Sequence, residues 1–144
     1  MIIPPITVVE NKFIVGVHAV IINNNKQLLV IKRSQKNDFM PLKWDLPGGT
    51  VEPKEEVSSA LEREIREELS LSARIGDPIA VCDSFDNETH CLRILFMCEL
   101  GDGLEIKLNP NEHDEYRWVT TEQLKVLDKI DFLSIAEQKI NFYM

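Results

Sequence analysis

The segment Val57–Leu69 constrains this chain more than any other. Wound as a helix from Val57, it places Ala60, Leu61, Ile65 and Leu69 at about 300°, 40°, 80° and 120°. That is a single apolar stripe facing a core. Glu56, Ser59, Glu62, Arg63 and Arg66 fall on the opposite side or its borders. Glu64 and Glu68, however, come out at about 340° and 20°, inside the stripe, with Glu67 beside it at about 280°. A run of charges is ordinarily a solvated face, and that explanation fails for Glu64 and Glu68. An unpaired buried carboxylate costs several kcal/mol and tends to take up a proton. Carboxylates at i, i+3 and i+4 also repel one another across a helical turn. Two arrangements relieve this: buried Arg partners, or a hard divalent cation, Mg²⁺ or Mn²⁺, held by the oxygens.

The rest of the chain supplies a frame for that helix. Residues 12–22 are Val/Ile-rich and read as a strand. Asn23-Asn24-Asn25-Lys26 is a turn signal, and 27–33 reads as the returning strand of a hairpin. Residues 34–43 read as a loop, and 44–47 as a short extended piece ended by Gly48-Gly49. The helical pattern starts at Glu52-Pro53, since Pro is tolerated in a first turn, and Glu55 and Glu56 suit its positive pole. Segments 73–85 and 91–100 read as strands about the turn Asp86-Asn87-Glu88. Gly101-Asp102-Gly103 is a turn, 104–108 alternates as a further strand, and 115–119 is another. Thr120 opens a helix with Gln123 at capping-box spacing. A last helix, with Ser134-x-x-Glu137 at the same spacing, carries Leu133, Ala136, Ile140 and Tyr143 on its apolar face. The expected fold class is α+β, a mixed sheet with helices packed on it, in one domain spanning 1–144.

Charge narrows the function. Sixteen Lys and Arg against 24 Asp and Glu give a net charge of −8. Such a balance opposes binding to a nucleic-acid polymer, which needs clustered cations. A phosphorylated substrate would then draw its positive field from a divalent cation. No apolar run approaches the roughly 20 residues that cross a bilayer. The opening Met-Ile-Ile-Pro-Pro has no signal-peptide character. Cys82, Cys91 and Cys98 form no Cys-x-x-Cys pair and read as small buried hydrophobes. The expected location is the cytoplasm.

Gly49-x₅-Glu55-x₇-Arg63-Glu64-Ile65-x-Glu67-Glu68-x-Ser70-Leu71 resembles the Nudix box, residues 49–71 here. This is a loop–helix–loop signature of hydrolases that cleave nucleoside diphosphates linked to another group. The preceding Trp44-Asp45-Leu46-Pro47-Gly48-Gly49 resembles the MutT-like branch. The resemblance implies a Nudix-type mixed β-sheet sandwiched between helices. It implies that Glu64, Glu67 and Glu68 bind metal, with the Gly48 carbonyl as a further ligand. Arg63 would hold Glu64 and Glu55 by charge-assisted hydrogen bonds. A further carboxylate, acting as ligand or base, is expected in 111–118: Glu112 first, Glu115 second, with Glu64 as the other candidate base.

Two positions depart from the family pattern. Lys54 stands where many members have Gly, in a variable part of the motif. Ser70 stands where Gly is usual, just past the helix, where left-handed backbone is common. If Ser70 keeps that conformation, Ser70→Gly is expected to stabilise by about 1 kcal/mol. Outside the box, Arg33 is expected to contact phosphate or sugar, and Phe39 and Phe85 to stack on a base. His113 is weighed for a role beside Glu112. His18, Trp44 and Trp118 read as packing residues, and nothing singles out His90.

The implied function is a Mg²⁺-dependent hydrolase, with Mn²⁺ as substitute, cleaving the pyrophosphate linkage of a nucleoside triphosphate or related nucleoside diphosphate derivative. The cation would neutralise the diphosphate and lower the pKa of the attacking water. The expected partner is a nucleotide substrate, with no nucleic-acid polymer and no membrane; a homodimer is the open oligomeric alternative. Glu112-His113-x-x-Tyr116-Arg117-Trp118 resembles a stretch of some dinucleoside tetraphosphate hydrolases, and keeps a dinucleoside polyphosphate hydrolase as an alternative. A catalytically silent nucleotide-binding domain is the other.

Overall fold

The computed structural model describes residues 12–86, 88–101 and 105–144. The turn residues Asn87, Asp102 and Gly103, and Leu104, lie outside that range, as does the amino-terminal segment. Among the described residues seven strands and three helices follow one another: β1 (Lys12–Ile21), β2 (Leu28–Arg33), β3 (Trp44–Asp45), β4 (Gly48–Thr50), α1 (Val57–Leu69), β5 (Ala73–Asp86), β6 (Thr89–Leu100), β7 (His113–Val119), α2 (Thr121–Val126) and α3 (Asp131–Asn141). They form a mixed α+β fold. A four-stranded sheet has the order β4-β1-β6-β5, in which β1 and β6 run parallel and the other pairs antiparallel. A three-stranded antiparallel sheet has the order β3-β2-β7.

The expected hairpin of 12–22 with 27–33 forms only at its tip. Asn23 N–H donates to Gln27 O at 3.0 Å, and a bridge joins Ile22 and Leu28. Beyond it the strands part into different sheets, because both have two apolar faces to cover. Val17, Ala19, Ile21, Leu29 and Ile31 pack with Ala60, Leu61, Ile65 and Leu69 of α1. Val20, Leu28 and Val30 pack on the other side with Leu124 of α2 and Phe132, Leu133, Ala136 and Ile140 of α3. The sheets thus lie between helices. Tyr143, expected on the apolar face of the last helix, lies beyond α3 and is exposed.

Two further boundaries differ from expectation. Helix α1 begins at Val57, with Glu56 as N-cap, and not at Glu52-Pro53. Lys54 has φ +65°, which a continuing helix does not tolerate, and Glu52 N–H donates to Glu55 Oε1 at 3.0 Å. The Glu55 carboxylate is also taken by Arg63. Glu55 therefore anchors a turn instead of charging a helix pole. Residues 105–108 form no strand. The alternation there is real, since Ile106 and Leu108 pack on the α1 core, but Lys107 N–H donates to Leu69 O at 3.0 Å. The segment closes the end of α1 in place of sheet pairing. The capping box at Thr120 and Gln123 is formed as expected.

Ser70 is left-handed, φ 58° and ψ 32°, so the helix ends as the family pattern requires. Its hydroxyl adds a bond that a Gly lacks, donating to Lys107 O at 3.1 Å. Strain of about 1–2 kcal/mol from the crowded Cβ is offset by this bond, itself worth about 1 kcal/mol. Glycine's greater freedom in the unfolded chain cancels more of the relief. Ser70→Gly should therefore lie within about 1 kcal/mol of wild type, not clearly above it. Ser70→Ala keeps the Cβ and loses the bond, and should be destabilised by about 1 kcal/mol. Denaturant titrations of the three proteins check both signs.

Candidate active site

Arg63 organises the carboxylates of the box. Its Nε and Nη2 donate to the two oxygens of Glu55 at 2.9 and 3.0 Å. Nη1 donates to Glu64 Oε1 at 2.9 Å and to Glu67 Oε2 at 3.4 Å, and Nη2 to Thr50 O at 3.2 Å. The pairing pulls the Glu55 carboxyl down to about 2. One half-buried Arg thus partly compensates Glu64. Arg63 does not reach Glu68, a residue 5% exposed whose carboxylate, among the described residues, accepts only the Gly48 N–H, at 3.0 Å.

Glu68 is where the sequence placed a charge in a core, and its environment is correspondingly adverse. Burial pushes its pKa well up; the Gly48 N–H opposes this, and Asp45, Glu64 and Glu112 add to it. Glu64 is shifted up as well, by burial first, against the pull of Arg63 and with the push of Glu67 and Glu112. Ligand atoms of Glu68, Glu112 and His113 lie within 4.8 Å of one another. His113 is buried, and its Nδ1 has no hydrogen-bond partner. Burial and the Arg33 charge bring its pKa down to about 4, so at neutral pH it offers a lone pair. Two carboxyl groups beside a neutral imidazole with an unpartnered nitrogen are the oxygen and nitrogen donors a divalent metal takes, and these residues fit one. Glu67 is exposed, at the solvent border of the group. Glu115 pairs instead with Arg117 at 2.8 Å, on the outside of β7.

Glycines bring the sheet onto these acids. A Cβ at Gly49 would overlap the Glu64 carboxyl group, and one at Gly48 would overlap the Val17 carbonyl. Beyond the same two glycines opens a cleft of about 450 Å³. Arg33, Phe39 and Phe85, all expected at a substrate, line it together with Gly48 and Gly49. Phe39 and Phe85 expose their rings. Arg33 spends its donors on the wall itself: Nη1 on Asp45 at 3.2 Å, Nε on Phe39 O at 2.9 Å, Nη2 on Asn37 Oδ1 at 3.3 Å. Tyr116 lines grooves elsewhere.

Several residues of the site carry no signal in their sequence pattern. Asp45 is buried against Arg33, with its pKa raised by burial in spite of that partner. His18, expected as a packing residue, is indeed buried, but its Nε2 accepts from Arg93 Nη1 at 3.0 Å on the cleft floor. Arg93 is visible in the sequence only as a lone cation within an apolar strand.

Fold and site together define a Nudix hydrolase. A family model described as the NUDIX domain matches residues 12–137. The chain belongs to that family and is a nucleotide pyrophosphohydrolase of its MutT-like branch. It is 34% identical over 119 residues to the nucleoside triphosphatase NudI of Enterobacter sp. (strain 638), covering 75% of this chain and 83% of that one. It is 32% identical over 130 residues to NudI of Escherichia coli, covering 83% and 88%. Among solved structures, a MutT protein from Methanosarcina mazei Go1 superposes with a TM-score of 0.80 at 28% identity, covering 94% of this chain and 96% of that one.

The buried Glu68 generates a stability prediction. A carboxyl whose folded pKa is raised above its unfolded value penalises the fold at pH above the folded pKa and stops doing so once it is protonated. In EDTA, Glu68→Gln should therefore be more stable than wild type at pH 7–8, since Gln still accepts the Gly48 N–H without a charge. The gap should close as pH falls and wild-type Glu68 takes its proton. Urea titrations at several pH values measure it; a gap that widens on acidification would show that burial does not govern Glu68.

Proposed function

We propose that this chain is a Mg²⁺-dependent pyrophosphohydrolase of nucleoside triphosphates, releasing a nucleoside monophosphate and pyrophosphate. One observation carries the reading: the Glu68–Glu112–His113 group and the Arg63-held Glu64 meet, through Gly48 and Gly49, a cleft lined by aromatic and basic side chains. Resemblance to the NudI nucleoside triphosphatases supports the substrate class. Glu64, Glu67, Glu68, Glu112, the Gly48 carbonyl and, as an addition to the family pattern, His113 would hold the cation. When bound, it supplies neutralisation of phosphate charge and acidification of the attacking water.

The side chains do the rest. Arg63 keeps Glu64 and Glu67 aimed in one direction. Water adds to a phosphorus of the anhydride, its proton passes to a carboxylate, and the bridging P–O bond breaks with the electron pair leaving on pyrophosphate. Glu112 is preferred over Glu64 for that proton, because Arg63 already occupies the Glu64 carboxylate. The backbone at Glu112 is held firmly, since its carbonyl accepts from Ser34 N–H at 2.9 Å and from Asn37 Nδ2 at 2.6 Å. Phe39 and Phe85 offer ring surface to the base, and Arg33, tied to Asp45, Asn37 and the Phe39 carbonyl, shapes the cleft wall between them and the carboxylates. The catalytic unit is proposed to be the single domain 1–144.

A product screen tests this. Nucleoside triphosphates, nucleoside diphosphate sugars and dinucleoside polyphosphates are incubated with Mg²⁺ or Mn²⁺, and products are separated by chromatography. Monophosphate plus pyrophosphate from triphosphates is expected. Exclusive turnover of dinucleoside polyphosphates, or release of single phosphates, would overturn it. Glu68→Gln should lower turnover about 100-fold or more while still folding. Millimolar Mg²⁺ added to EDTA-treated wild type should raise the melting temperature by about 5 °C. The shift should shrink in Glu68→Gln, which thermal denaturation checks directly.

A further inference from the structure

Arg93 is a cation of the cleft that the hydrolytic step does not use. It stands on β6 in register with Gly16 of β1 and Cys82 of β5. Gly16 offers no side chain, so the guanidinium lies across β1; a Cβ there would come 3.2 Å from His18 Nε2 and 3.5 Å from Arg93 Nη1. Its Cζ stacks 4.7 Å from the Phe132 ring centroid. Nε donates to Ser84 Oγ at 2.9 Å and Nη1 to His18 Nε2 at 3.0 Å. Both acceptors are neutral, for a His nitrogen that accepts from Arg carries no proton. Among the described residues Arg93 has no ion-pair partner, and its Nη2 no hydrogen-bond partner.

A guanidinium clamped by two neutral acceptors and an aromatic face is held in one pose with donors to spare. Ser84 accepts from Arg93 and keeps its own proton to give, and Thr89 lines the same cleft. The floor at this end is rich in donors. The carboxylates lie on the β4 side of β1, by Gly48 and Gly49, whereas Arg93 reaches β1 from β6 on its other side. A second anionic group is disfavoured there because Asp131, with no ion-pair partner among the described residues, also lines the cleft. The exposed rings of Phe39 and Phe85 suit a flat ligand. We infer that Arg93 reads the edge of the nucleobase and selects bases presenting a carbonyl oxygen there, uracil, thymine, guanine or hypoxanthine, over those presenting an amino group, cytosine or adenine. An amino group set against Arg93 leaves donor facing donor, both desolvated and unpaired. The inference rests on the nucleotide reading above and names the substrate class within it.

Binding and turnover separate the two. Binding of UMP, CMP, GMP and AMP to EDTA-treated protein is measured by calorimetry, so no turnover is needed. Wild type should bind UMP over CMP, and GMP over AMP, by about tenfold or more, and Arg93→Met should bring both ratios near one. Ser84→Ala, which frees the Nε clamp without removing the cation, should reduce the ratios partway; melting curves confirm that each variant is folded. A merely structural Arg93 would weaken all four ligands alike and leave the ratios intact. Equal binding of the four by wild type, ratios that survive Arg93→Met, or no binding of any monophosphate overturns the inference. Failure of the hydrolase reading shows separately, as triphosphates that bind with these ratios and are not cleaved.

Discussion

The guanidinium of Arg63 joins three pieces of chain at one point. It bonds the carboxylate of the turn at Glu55, the β4 backbone at Thr50 and the helical acids Glu64 and Glu67. Without it, Glu55, Glu64 and Glu67 would repel along one line, and the loop from Gly49 to Glu56 would have little to fix its path. With it, three like charges share one counter-charge and keep a common direction. The bonds lie in a partly shielded position, where charge-assisted pairs are stronger than on open surface.

The two sheets serve that hub by splitting β1 from β2. Each strand buries one row of side chains under α1 and the other under α2 and α3. Gly48 and Gly49 sit where β4 returns to β1, at the place where acids from α1 reach through to the cleft. Any side chain on Gly49 would take the space that the Glu64 carboxylate occupies. Cation-binding chemistry and ligand cavity thus share one short piece of backbone, and substituting either glycine disturbs both.

The helix, its stripe and the misplaced Glu68 were legible because periodicity is a property of neighbouring residues, and a charge at a core angle has few explanations. The strand positions were legible for the same reason. Their partners were not. The hairpin expectation came from the Asn turn, which is local, whereas the parting of β1 and β2 is decided by cores that form with residues far along the chain. The strand expected at 104–108 has the right alternation, but nothing in it announces that Lys107 will bond Leu69 O. At the site, motif spacing pointed to Glu64, Glu67, Glu68 and Arg63, and a resemblance pointed to Glu112; the fold brings Arg63 to Glu64 and Glu67, and Glu112 to Glu68. The orphaned nitrogen of His113 and the Ser84–Arg93–His18 clamp arise from tertiary proximity. The lone Arg in an apolar strand was nonetheless a signal of the same kind as Glu68.

The loop after β2 ties the mouth of the cleft to its chemistry. Arg33 Nε holds the Phe39 carbonyl, Ser34 and Asn37 hold the Glu112 carbonyl, and Ser34 Oγ donates to Asn111 O at 3.0 Å. Phe39 at the mouth and Glu112 in the donor group are therefore anchored to one stretch of chain, 33–37, braced by the Arg33–Asp45 pair. A change in that stretch is felt at both places at once, so the loop's sequence is constrained from two directions although none of its own side chains belongs to the box.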